Sequence, residues 1–571
     1  MPLGFTARLI AVSAVALVTA LPGHADVNAG AFLAARQAAA DHDFAAASQY
    51  FARALLRDPG NAELMEFAVT SYTALGDVKR AAVVARQMIG GDTPSQIANL
   101  VLLGDAAKAA EWSDILADLD AGQSVGPLFD GLLKGWALIG DHQTEAAMTQ
   151  FEEVSKAPGV RAFGQYHKAL ALAATGDFAG AEEVLADPAD GGLRLTRRGL
   201  VARAQILSQL GRQTDAIKVL RDVFGTDTDR VLDQVIDALE AGEVVPFDIA
   251  PDATAGVAEV FFSIGNALSG EANDAYTLLY TRMAEHLRPD HIEAKMMSAI
   301  MLDRLERFDL AIKAYGTVPR ESAAFDAAEL GRAEALRRSG KIDTATEVIR
   351  QLADQRPELP LIHVTLGDTL REQELYEEAL VAYDKAIALF GEPAEEQWIV
   401  YFARGIAHER TDDFDGAERD FRQALTLNPD QPQVLNYLGY SYVEKQINLD
   451  EALGMIERAV AALPDSGYIT DSLGWVFYRL GRYDEAVTPM ERAVELMPID
   501  PVVNDHLGDV YWAVGRTLEA RFQWKRALSF IDPADTDVEA DPDRIRRKLD
   551  VGLDAVLDAE GAPPLKVAND L

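Results

Sequence analysis

Apolar and small residues recur along this chain in paired blocks about thirty-four residues apart, the length of two short antiparallel helices with their turns. Two clear copies are Ser472-Leu473-Gly474-Trp475-Val476-Phe477-Tyr478-Arg479-Leu480-Gly481-Arg482-Tyr483-Asp484-Glu485-Ala486-Val487 and His506-Leu507-Gly508-Asp509-Val510-Tyr511-Trp512-Ala513-Val514-Gly515-Arg516-Thr517-Leu518-Glu519-Ala520. An alanine near the start of each second helix can be followed through Ala47, Ala81, Ala147, Ala181, Ala216, Ala275, Ala311, Ala345, Ala379, Ala417, Ala452, Ala486 and Ala520, mostly at intervals of 34 to 38. The gap of 66 from Ala81 to Ala147 predicts a degenerate unit around Leu100 to Gln123. The gap of 59 from Ala216 to Ala275 is not a multiple of the period, and it contains Pro246 and Pro251, which interrupt helical periodicity.

Packing accounts for each repeated residue type. Gly367, Gly405, Gly439, Gly474 and Gly508 allow the two helix axes of a unit to approach closely, and the alanines do the same from the second helix. Tyr383, Phe421 and Trp524 are expected to fill space between units, while Pro289, Pro357, Pro429, Pro464 and Pro498 end each second helix. The pattern predicts an all-α solenoid, a right-handed superhelix of helix-turn-helix repeats with a concave face, in two sub-arrays. The expected divisions are a degenerate amino-terminal array over 26–241, a proline-containing linker over 242–256, and a carboxyl-terminal array over 257–531. A capping helix over 541–559 opens at Asp541-Pro542 and runs through Ile545, Leu549, Leu553, Val556 and Leu557, with Arg544, Arg546, Arg547 and Lys548 mostly on its other face. Residues 560–571 form a flexible tail.

At the other end, Arg8, the apolar run Leu9 to Leu21 and the small-residue site Gly23-His24-Ala25 read as a signal peptide over 1–25, with Asp26 as the new amino terminus. The run is shorter than the ~20 residues of a membrane span, so export is the reading and an uncleaved anchor the alternative. With no cysteine in the chain, disulfides, thiolate metal sites, a cysteine nucleophile and a lipid-bearing cysteine are excluded. The expected product is periplasmic, without an integral membrane segment after cleavage, and not a lipoprotein. A formal net charge of -38, from 91 acidic against 53 basic residues, disfavours nucleic acid and anionic membranes as partners.

Candidate chemistry is sparse. Gly340-Lys341 resembles the end of a phosphate loop, but Ile342 stands where a Ser or Thr would meet magnesium. The acidic stretch Asp535 to Asp543 lacks the glycine of a calcium loop, with Ala540 in its place and Arg546 where a bidentate glutamate belongs. His286 and His291 straddle Pro289 and lack the spacing of a helical zinc pair. No catalytic residue, cofactor or metal ligand is nominated, and a non-enzymatic protein is expected.

The repeat resembles the tetratricopeptide unit, and on that resemblance certain first-helix positions face the groove. In the last three units they are Asn436, Tyr440, Asp471, Trp475, Tyr478, Asp505, Asp509 and Trp512. This aromatic and acidic set suits a peptide or helix carrying Lys or Arg beside apolar anchors, although Trp475 and Trp512 could equally pack against neighbouring first helices. Family members that grip a peptide's terminal carboxylate use Lys and Asn where Asp471 and Asp505 stand here, which argues against that mode. Asn436-Tyr437-Leu438-Gly439-Tyr440-Ser441-Tyr442, Leu449-Asp450-Glu451-Ala452-Leu453, Asp471-Ser472-Leu473-Gly474-Trp475 and His506-Leu507-Gly508-Asp509 further resemble the carboxyl half of proteobacterial envelope tetratricopeptide proteins. Some of those proteins are adaptors that present cell-wall hydrolases to a periplasmic carboxyl-terminal processing protease. The resemblance implies a periplasmic scaffold or adaptor that binds protein partners through its groove, among them such a protease and its substrates. The alternative is a docking platform for export or assembly of an envelope polysaccharide or outer-membrane protein.

Overall fold

A computed structural model describes residues 27–91, 94–186, 195–225, 229–532, 540–562 and 565. The signal-peptide reading and the calcium-loop comparison over Asp535 to Glu539 lie outside these residues, as does most of the 560–571 tail. The described chain is all-α: helices follow one another from Val27–Ala40 to Leu553–Ala559, with only an isolated bridge between Ser269 and Ala272 and no strand among the described residues. Among the described residues, no helix is long and apolar enough to cross a membrane. Chain contacts divide the molecule into two compact units, Met1–Val348 and Ile349–Leu571.

The alanine register places the helix pairs. Ala47, Ala81, Ala147, Ala181, Ala216, Ala311, Ala379, Ala417, Ala452, Ala486 and Ala520 have no exposed surface, and Ala345 is 1% exposed. Ala275, which follows the irregular gap, is only half-buried. The degenerate unit exists as helices Gln96–Lys108 and Trp112–Asp120, with the fully buried Ile115 thirty-four residues after Ala81 in the alanine's place. Turns inside units are closed by left-handed residues such as Gly340, Glu374, Asp412, Gln446, Gly481 and Gly515, which satisfy the ends of the preceding helices. Gly340-Lys341 is therefore an inter-helix turn: Gly340 N–H donates to Arg337 O and Lys341 N–H to Leu336 O, both at 2.9 Å.

In the first unit the chain also folds back on itself. Helix Ala253–Leu268 packs against Gln96–Lys108, Pro127–Gly140 and Arg161–Ala174, and helix Asp274–Leu287 packs against Ala62–Ala74 and Gln96–Lys108. Two cations lock this closure at helix ends, where backbone carbonyls have no intrahelical partner. Lys108 Nζ donates to Leu287 O at 2.8 Å, and Arg282 Nε donates to Ala74 O at 3.1 Å. Residues 242–256 thus do not separate two bodies. Ser208 Oγ accepts from Val245 N–H, Gln205 pairs with Asp248, Arg288 donates to Ile249 O, and Ile249 and Ala250 are buried. The prolines stop a helix there, while the side chains around them hold the segment inside the first unit. The contact division instead falls within helix Ile342–Gln355.

The second unit is an orderly series of pairs: Pro360–Glu372 with Tyr376–Phe390, Trp398–Arg410 with Phe414–Leu427, Pro432–Glu444 with Leu449–Ala462, Gly467–Arg479 with Tyr483–Leu496, and Pro501–Ala513 with Thr517–Phe530. Proline opens three of the first helices, where its missing N–H costs nothing. Tyr383, Phe421 and Trp524 each lie over the glycine of their own unit, Gly367, Gly405 and Gly508, and Phe421 also meets Tyr437 of the next unit at 5.4 Å. A Cβ on those glycines would fall 2.4 to 2.6 Å from the ring, so the notch and the ring that fills it are one feature.

Candidate protein-binding face

The first helices of the last three units, Pro432–Glu444, Gly467–Arg479 and Pro501–Ala513, lie side by side in the second unit. This brings the predicted positions together. Tyr478, Trp475 and His506 form a stack, with the indole 4.7 Å from the phenol ring and 3.9 Å from the imidazole. Trp475 Nε1–H donates to Glu444 Oε1 at 2.7 Å, and His506 Nδ1 lies 2.9 Å from Asp471 Oδ2. Burial pushes the Tyr478 hydroxyl well above its ordinary pKa, with the charge of Asp509 adding to the effect.

Asp471, Trp475, Tyr478, Asp505 and Asp509 are buried, whereas Asn436, Tyr440 and Trp512 are half-buried and form the accessible part of the set. The face has an excess of acceptors. Asn436 Oδ1, Asp471 Oδ1 and Asp505 Oδ1 are buried without a donor among the described residues, an arrangement that favours incoming N–H groups.

At its far end the face meets the carboxyl-terminal helix Pro542–Val551. Lys548, expected on the solvated side, is fully buried and donates to Asp505 Oδ2 at 2.7 Å and to Asp509 Oδ2 at 2.8 Å. Asp509 also accepts from Trp524 Nε1–H at 2.9 Å. The Asp505 carboxyl is raised above the ordinary value, chiefly by burial and further by Asp509, with Lys548 opposing. Lysine turns inward because two carboxylates one helical turn apart would otherwise be left buried and uncompensated. Trp512 Nε1–H donates to Asp554 at 2.9 Å. Lys548, His506, Glu444 and Asp554 are absent from the sequence-derived set. For Lys548 a signal exists: it stands three residues after the buried Ile545 and so shares its helix face.

The first unit holds a second polar concentration. Arg198 donates to Glu259 at 2.8 Å and to Glu293 at 2.6 Å, and Tyr166 Oη donates to Glu259 at 2.9 Å. Burial raises the Glu259 carboxyl, but Arg198 and His291 more than offset it and leave its pKa at about 2. His291 caps helix Ile292–Arg304 by accepting from Ala294 N–H, and His286 lies 3.5 Å from Asp105, so each histidine of that pair has its own local role. His167 next to Ser263 resembles a base beside a nucleophile, but the hydrogen bonds exclude that role. The indole of Trp136, a donor only, occupies His167 Nδ1 at 3.0 Å, so the imidazole proton sits on Nε2 and points at Ser263 Oγ, 3.1 Å away. Ser263 in turn donates to Val260 O. This histidine cannot take the serine proton.

Residues 333–471 match the family model for the C-terminal HAT repeat of pre-mRNA-splicing factor Syf1/CRNKL1, and residues 444–501 match the tetratricopeptide repeat model. Among curated proteins, the TPR repeat-containing protein PA4667 of Pseudomonas aeruginosa is 25% identical over 156 residues, covering 27% of this chain and 26% of that protein. The lipoprotein NlpI homolog of Haemophilus influenzae is 31% identical over 124 residues, covering 21% of this chain and 38% of that one. The chain thus spans well under half the length of either relative. Among solved structures, the APC/C hetero-tetramer Cut9-Hcn1 aligns with 93% of this chain at 14% identity and a TM-score of 0.38. MamA aligns with 31% of it at 21% identity and a TM-score of 0.28.

Proposed function

Starting from a tetratricopeptide repeat protein that resembles proteobacterial envelope members of that group, we propose a non-enzymatic periplasmic scaffold that recruits protein partners through the acidic and aromatic face of its last three units. The observation that carries this reading is Lys548: the face already holds a basic helix of its own chain, seated on Asp505 and Asp509. A surface of packed rings with carboxylates among them gives large contact area at low entropic cost and selects a cationic guest. The similarity to the lipoprotein NlpI homolog supports a role in the cell envelope. Within that role we favour an adaptor that brings substrates to a protease.

The test is affinity capture from a cell-envelope fraction with the full mature chain, compared with Asn436→Lys, which places a like charge on the half-buried part of the face. Capture of a protease or a wall hydrolase, lost in the variant, is the expected result. Capture of export or assembly machinery would replace the adaptor reading with a docking platform. Partners retained in full by Asn436→Lys would move the binding surface elsewhere.

A further inference from the structure

The carboxyl-terminal helix sits where the first helix of another unit would stack, yet it is anchored much more lightly. Helix Pro501–Ala513 buries Val503 through Tyr511, whereas Pro542–Val551 buries only Ile545 and Lys548, and Leu553–Ala559 only Leu553 and Val556. Ala540 is buried beside them, Leu549 and Leu557 pack half-buried against the same core, and the other attachments are polar. Trp512 donates to Asp554, Arg521 Nη1 to Leu549 O, and Arg544 reaches Asp509 at 3.8 Å. One unit earlier Asp471 holds the same place as Asp505 and is met by His506 from the following first helix. The acidic position thus takes a donor from whichever helix stacks next, and at the end of the series that donor is Lys548.

Gly552 adds a shape requirement. It adopts a left-handed conformation with φ +87°, and a Cβ there would fall 2.6 Å from the Trp512 ring. The seated segment is therefore a basic helix that breaks at a glycine against an indole, with an apolar anchor at Ile545, a lysine three residues on, and further anchors at Leu553 and Val556.

Taking the acidic and aromatic face as the binding surface, we infer that residues 540–562 are an exchangeable intramolecular guest, and that the external partner is a protein helix of the same chemistry: an apolar residue, a lysine one turn later, a glycine break and an apolar continuation. The tethered segment competes at the high effective concentration that a short connection provides, so partner binding requires its displacement. The partner's lysine then replaces Lys548 between Asp505 and Asp509, leaving the charge balance of the pocket unchanged.

The test uses the full-length chain and a fluorescein-labelled synthetic peptide of residues 540–562. In Lys548→Glu the tethered helix carries a third carboxylate to the aspartate pair and leaves the face. The peptide is expected to bind this variant about tenfold or more tightly than the wild-type chain. The same peptide with its lysine changed to Glu is expected not to bind, and Asp505→Asn with Asp509→Asn in the Lys548→Glu background to abolish binding. Lys548→Gln provides the milder opening. Equal affinity for wild type and variants, binding that ignores the peptide's lysine, or absence of binding to folded Lys548→Glu and Lys548→Gln would each overturn the inference. So would collapse of the repeats in both variants, which would make Lys548 an integral strut. Envelope capture that still depends on Asn436 after such a result would leave the scaffold standing without the exchangeable guest.

Discussion

Up to Val348 the chain meets itself across long stretches of sequence, whereas from Ile349 onward each helix packs chiefly on those next to it and next but one. The two units share one repeat pattern and use it differently. In the first, helices Ala253–Leu268 and Asp274–Leu287 close onto helices far earlier in the sequence, which buries an ion network and a tryptophan. In the second, nearest-neighbour stacking leaves a row of first helices available to a guest. Closure produces a body that opens as one piece, while open stacking produces graded stability along the series. The proposed scaffold would use both, a firm frame and a face that can exchange what lies on it.

Site-specific methionine oxidation along a urea titration reads the two units separately, with the fully buried Met283 in the first and Met490 in the second. The largest expected effect is Glu259→Ala. It takes away the buried counter-charge of Arg198, leaving only the half-buried Glu293, and removes the acceptor of Tyr166. It should destabilise the first unit by about 3–5 kcal/mol, moving the Met283 transition while Met490 stays in place. Arg198→Met combined with Glu259→Leu should recover much of that loss, because an apolar pair of similar volume needs no counter-charge. Failure to recover would mean that the network holds the closure in a way its charge balance does not explain.

Acid should act next most strongly, and again on the first unit. Burial holds His167 at about 4, below its ordinary 6.5, so the unfolded chain takes up the proton first. The stability that the neutral imidazole contributes is present above pH 6.5 and lost as pH falls from 6.5 toward 4, on the order of 3 kcal/mol. Glu259, depressed from 4.5 to about 2, adds a second loss over that lower window. His167→Gln retains a group that can accept from Trp136 and removes the titration. Its Met283 midpoint should change less between pH 6.5 and 4 than that of the wild type, and an unchanged slope would assign the acid response to other groups.

Two glycines sharpen the contrast further. A Cβ on Gly256 would lie 2.2 to 2.4 Å from the Trp136 indole, which is pinned by its bond to His167. Gly256→Ala should therefore cost about 2–3 kcal/mol by overpacking a rigid ring. Gly474→Ala meets Met490 at 2.5 Å, a flexible side chain that can swing away, and should cost about 1 kcal/mol. Equal costs would show that the rigidity of the neighbour does not decide the penalty.

Much of the fold is legible in the sequence because the signature alanines report local geometry: a small residue is required wherever two helices of a unit touch. Even the degenerate unit follows, once Ile115 is seen in the alanine's place. The fold-back of Ala253–Leu287 is not legible, since Gly256 opposite Trp136 is a pairing between residues 120 positions apart and leaves no periodic trace. The contacts of the 242–256 segment are illegible for the same reason: Pro246 and Pro251 interrupt helices, while Gln205 and Ser208 bond to Asp248 and Val245 from far along the chain. On the candidate face, first-helix register brought Asp471, Trp475, Tyr478, Asp505, Asp509 and Trp512 to one place. The inward turn of Lys548 was hidden because the charge of a lysine suggests solvent until the two aspartates that receive it are seen beside it.

Native-state hydrogen exchange on the full chain measures the difference between the units directly. The expected result is one common opening free energy for helices Gln96–Lys108, Pro127–Gly140, Ala253–Leu268 and Asp274–Leu287, with Pro542–Ala559 exchanging well before Pro501–Phe530. Graded exchange among those four helices, or protection of Pro542–Ala559 equal to that of Pro501–Phe530, would contradict the account.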